Sequence, residues 1–205
     1  MNWSLLTLGL AVLALLSCFL GFENSKPTAK EVALLATLAA LAALGRVVFA
    51  GIPSVQPTTF LIIVTGLVFG PGPGFMVGAL AALSSNFFLG MGPYTPWQML
   101  AWGLAGFSAG IWGRWQKKPS KLPLIIFAVA WGFLYGLIMN IWHWVTFIYP
   151  LNWQTFVAVY GAAFWFDTLH AIGNGIFMWF MGKEFIKVMQ RYQKRLVVKE
   201  INIER

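Results

Sequence analysis

Asp167, His170 and Asn174 stand at i, i+3 and i+7 within an otherwise apolar stretch, so a helix there puts all three on one face. An acid and an imidazole so placed suit proton transfer, and with His143 as a third ligand they suit a metal ion. Arg46, Asn86, Gln98 and Asn140 are further polar side chains among apolar neighbours, each near the same end of its segment. Two readings of these groups stand side by side: direct contact with a ligand, and a structural network in which Asp167 pairs with Arg46 or His170. Ionisable groups isolated in apolar helices generally pair with one another, so no metal site is expected. Nucleophilic catalysis lacks support, because Ser84, Ser85 and Cys18 have no base beside them in sequence and no G-x-S-x-G or H-E-x-x-H set is present. There is also no G-x-x-x-x-G-K-[ST] loop to hold nucleotide phosphates. A binding protein without a cofactor is the leading class. An enzyme acting through Asp167 and His170, and a ligand-free assembly protein, are its rivals.

The elements that must position these residues follow from composition. Of 205 residues, 59% are apolar and 10% charged, against about 25% charged in an ordinary soluble domain. With a mean hydropathy of +0.74, the chain has lipid as its main solvent. Apolar runs predict seven spans: Trp3 to Phe22, Ala33 to Ala50, Phe60 to Phe69, Phe75 to Leu89, Trp97 to Trp112, Leu122 to Ile148 and Phe164 to Met181. The third and fourth are short and flank Gly70-Pro71-Gly72-Pro73-Gly74, which reads as a tight turn. Leu151 to Phe156 suits an interfacial half-helix or an ordered loop. The first run could pass for a signal peptide, but Met1 to Ser4 carries no positive charge and Leu16 fits a cleavage box poorly, so a retained span is expected. The single cysteine, Cys18, excludes disulfides and multi-cysteine metal sites.

A net charge of +8 would suit nucleic acid only if its cations shared a water-facing surface. They do not. Lys26 and Lys30 follow the first span; Arg114, Lys117, Lys118 and Lys121 separate the fifth from the sixth; seven more, from Lys183 to Arg205, follow the last. Seven spans put these segments on one side, and the positive-inside rule makes that side the cytoplasm, with the N-terminus outside. Nucleic acid drops out as a partner. The polar residues named above then lie in the outer halves of their helices, which implies a partly wet cavity open to the outside.

Aromatic residues cluster at the same outer end: Tyr94, Trp97 and Trp102, then Trp142, Trp144, Tyr149, Trp153, Trp165 and Phe166. An interfacial belt accounts for part of them; the excess suits walls around a flat heterocycle. On the second span Ala33, Ala36, Ala40 and Ala43 form a small-residue stripe, fit for internal packing or for docking on a partner.

From about Ala29 to Arg195 the chain resembles the substrate-binding S components of energy-coupling factor (ECF) transporters. The resemblance rests on Pro53 to Thr59, on Ser84 to Met99 with its Thr95-Pro96-Trp97-Gln98-Met99, and on Phe166 to Asn174. It implies an all-α integral membrane protein with a six-helix core at 29-195; the N-terminal transmembrane helix and linker at 1-28 depart from that pattern as an extra element, and a charged tail follows at 196-205. It implies a bacterial, multi-pass membrane subunit that captures a vitamin or precursor from outside for a module of one membrane coupling protein and two ATPases. The alanine stripe would then dock on the coupling protein, through Ala36 and Ala40. Within the family, the two motifs are similar to members assigned to cobalamin or α-ribazole; queuosine-precursor members look similar at this level. The site so implied comprises Arg46, Gln56, Thr58, Asn86, Tyr94, Trp97, Gln98, Trp102, Asn140, His143, Trp144, Asp167, His170 and Asn174. Met1-Asn2 lacks the N-terminal Met-His of the cobalt and nickel members.

Overall fold

The structure, a computed structural model, describes residues 3–116 and 119–196. Met1-Asn2, Lys117, Lys118 and the charged tail beyond Leu196 lie outside the described residues. The described residues form seven α-helices and no strand: α1 (Trp3–Asn24), α2 (Ala29–Val48), α3 (Thr58–Phe69), α4 (Pro71–Leu89), α5 (Thr95–Trp115), α6 (Lys121–Phe147) and α7 (Trp153–Leu196). Five of them are long and apolar enough to cross a membrane.

Local chemistry explains most boundaries. Thr28 caps α2, its hydroxyl accepting the Glu31 N–H at 3.2 Å, which is half of a capping box. Between α3 and α4 the expected five-residue turn shrinks to one residue. Gly70, at φ +102°, makes the reversal, and Pro71 starts α4 in the first helical turn, where a missing N–H costs nothing. The expected half-helix or loop at Leu151 to Phe156 is instead largely the first turn of α7. Asn152 caps that turn, its side-chain oxygen accepting the Thr155 N–H at 2.9 Å, and no proline follows to interrupt the 44-residue helix. At 1.5 Å per residue α7 is about 66 Å long, well beyond the apolar thickness of a bilayer.

The core is mainly apolar, but apolar side chains also cover the surface and a set of polar ones is buried. Phe180, Trp165 and Leu13 are exposed, whereas Thr59, Ser85, Asn86, Gln98, Asp167, His170 and Asn174 are buried. Short α3 is the central helix, buried from Thr58 through Gly66 and packed on α2, α4, α5 and α7. Glycines let the helices meet backbone to backbone: a Cβ on Gly106 would collide with the Gly74 carbonyl, and one on Gly136 with the Asp167 carboxylate. The extra helix α1 rests on the outside of α4, α5 and α6, with only Ala11 and Leu15 buried.

Candidate functional site

Six helices, α2 to α7, present polar side chains toward the end of the bundle where α2, α4 and α6 finish and α3 and α5 begin. Arg46, in the last turn of α2, reaches α4, where its Nη1 donates to Ser85 Oγ at 2.7 Å and to Asn86 Oδ1. Asn86 then spends both amide hydrogens on α5, donating to Thr95 Oγ1 at 2.9 Å and to Gln98 Oε1 at 2.8 Å. With oxygen and nitrogen both committed, its orientation is settled by its partners.

A second chain of contacts crosses the first. The Arg46 guanidinium lies 5.0 Å from the Trp102 ring centroid, within cation–π range. Trp102 Nε1 donates to Thr59 Oγ1 at 2.9 Å, and that hydroxyl is also hydrogen-bonded to His170 Nε2 at 2.8 Å. Tyr135 closes the group, its ring 4.6 Å from that of Trp102 and 5.0 Å from that of His170. One helix turn nearer the start of α7, Asp167 accepts from Asn140 Nδ2 at 2.9 Å. Arg46 is thus surrounded by neutral groups. Among the described residues the ion pair recorded is Lys187 with Glu184, far along α7.

Asp167 and His170 share a helix face but use different partners, Asn140 and Thr59, while the His143 ring is exposed against Trp142 and Phe147. Among the described residues no three His, Cys, Asp or Glu side chains are grouped to hold one ion.

A family model described as ECF transporter, substrate-specific component, matches residues 30–181. The chain belongs to this family. As an S component it is the substrate-binding subunit of a transporter, not an enzyme, and S components work with a membrane coupling protein and ATPases. No curated protein and no solved structure matches the chain.

Within this S component, Arg46, Asn86, Gln98, Trp102, Asn140, Asp167 and His170 form or adjoin one buried group. The other expected residues stand apart from it. Thr58 donates to the Ala42 carbonyl at 3.1 Å and ties α3 to α2. Tyr94 bonds the Gly90 carbonyl at 2.6 Å and packs edge-on against Trp142. Trp144 donates to Thr155 at 2.9 Å, joining the end of α6 to the start of α7. Gln56 and Trp97 are half-buried in the neighbouring loop and helix. Asn174 sits two turns beyond Asp167, donating to the Ala128 carbonyl at 3.3 Å with its Oδ1 buried and unpartnered. Four members of the group are not among the expected site residues: Thr59, Ser85 and Thr95, which lie within the stretches that carry the resemblance, and Tyr135.

The expected open cavity also differs from what is found. The polar side chains bond to one another, and the two cavities described, of about 840 Å³ and 550 Å³, are lined by other residues. Neutral hydroxyls and amides close the gap because each unpaired group would otherwise sit in a low-dielectric interior.

Proposed function

We propose that this S component binds cobalamin or its precursor α-ribazole at the extracellular end of the bundle. The observation that carries the reading is the convergence of two distant segments. The Thr95 to Gln98 start of α5 and the Asp167 to His170 face of α7 share one buried polar group with Arg46. Amides and hydroxyls would fix the ligand's polar edge, and Trp97, Trp102, Tyr94 and Tyr135 offer aromatic faces for its rings. The basic segments on the opposite side support an extracellular position, by the positive-inside rule. The core for this task is 29-195, with 1-28 as an accessory helix and linker and 196-205 as a charged tail.

Coupling would use Ala36 and Ala40. Both are exposed on α2 with Ala33 and Thr37, whereas Ala39 and Ala43 face the core. A smooth exposed stripe suits close approach by a helix of the coupling protein.

Isothermal titration of the purified protein is the direct test. Heat of binding is expected with cobalamin or α-ribazole. Heat with a queuosine base and none with either of these overturns the ligand assignment and leaves the S-component function in place.

A further inference from the structure

Among the described residues, Arg46 is a cation without an anion. Asp167 is the only carboxylate between residues 32 and 183, and it is bonded to Asn140 rather than to Arg46. The bonds Arg46 does make, to Ser85 and Asn86, come from Nη1 alone. Its remaining nitrogens are not sealed in: among the described residues, the buried side-chain atom that lacks a partner is Asn174 Oδ1. One part of a planar guanidinium is therefore anchored, and the rest belongs to a side chain that is only partly buried, with the buried Trp102 ring 5.0 Å away.

A charge near a bilayer interior is costly unless compensated. The Trp102 face attracts the cation but does not neutralise it. A guanidinium held on one side and open on the other matches two oxygens of a phosphate or carboxylate, which accept paired N–H bonds. We propose that Arg46 is an anion subsite that recognises a phosphate-type group on the transported ligand. Asn86, locked by Thr95 and Gln98, positions the guanidinium. This rests on the binding site proposed above and narrows its ligand: a phosphodiester or phosphomonoester is preferred over a neutral nucleoside or a cationic base.

The test uses the full-length protein in detergent, with dimethyl phosphate, a monoanion, and trimethyl phosphate, its neutral analogue, at matched ionic strength. Dimethyl phosphate at ten times its dissociation constant is expected to raise Tm by roughly 3 °C. Trimethyl phosphate is expected to have no effect. Arg46→Gln should lose the rise and Arg46→Lys should keep only part of it, while Arg114→Gln, an exposed cation at the opposite end, keeps it whole. Equal responses to the two probes in the unaltered protein, or an undiminished rise in Arg46→Lys, overturn the proposal even if Arg46→Gln does not fold. A second arm compares α-ribazole with its 5′-phosphate, and the phosphate is expected to bind at least about tenfold tighter, which is one charge-assisted contact. Equal affinity overturns the anion subsite and leaves the proposed function standing. A dimethyl phosphate effect that depends on Arg46, with neither the nucleosides nor cobalamin bound, supports the subsite and overturns the ligand assignment.

Discussion

Among single residues, Thr59 occupies the junction of the polar group. Among the described residues, its hydroxyl is the only partner of Trp102 Nε1 and of His170 Nε2. Thr59→Val keeps the shape and removes both bonds, stranding two buried groups. The expected cost is about 2 to 4 kcal/mol of stability, read as a lower thermal or SDS unfolding midpoint. An unchanged midpoint would mean that water replaces the hydroxyl. Thr59 also shows why part of the site was hidden in the sequence. Hydroxyls in helices ordinarily bond their own backbone four residues back, as Thr37, Thr65 and Thr168 do here with Ala33, Leu61 and Phe164. Nothing in the chain separates Thr59, Ser85 or Thr95 from those. Arg46, Asn86, Gln98, Asn140, Asp167 and His170 were legible because an amide or an ionisable group in an apolar run needs a partner elsewhere.

For the helices, the decisive residues are small. Gly132 and Gly136 of α6 lie against Ala171 and Asp167 of α7, with no room for a Cβ. Gly132→Leu should pry the two helices apart and cost about 1 to 3 kcal/mol, while displacing Asp167 and His170 enough to weaken ligand binding in titration. The alanines of α2 make a contrasting case. Because Ala36 and Ala40 are exposed, Ala36→Trp and Ala40→Trp should leave ligand binding intact and abolish uptake in cells carrying the coupling module. Lost binding would point to a role in internal packing instead. Small residues make this ambiguity unavoidable in sequence, since alanine serves a buried seam and an exposed docking stripe equally well. Apolar runs marked all seven helices. That α7 runs unbroken from Trp153 through Gly161 into the last span was missed, because polar residues at the start of that stretch obscured a helix that Asn152 was already capping.

At the scale of the whole molecule, the arrangement has polar groups gathered at one end and cations at the other. Seven helices place the loop after α6 at the polar end, while the far end of α7 lies with Arg114 and Lys121 at the basic end. An extracellular ligand site requires the polar end to face out, and this can be measured without knowing the ligand. Tyr149, 91% exposed, lies in the loop between α6 and α7, and Lys194 is exposed near the end of α7. With the native thiol removed by Cys18→Ser, a membrane-impermeant maleimide added to whole cells should label Tyr149→Cys and spare Lys194→Cys. Permeabilising the cells should make both react. The reverse pattern would put the polar group in the cytoplasm and contradict capture from outside. Labelling of Tyr149→Cys that is slowed by ligand would add that the α6–α7 loop is covered when ligand is bound.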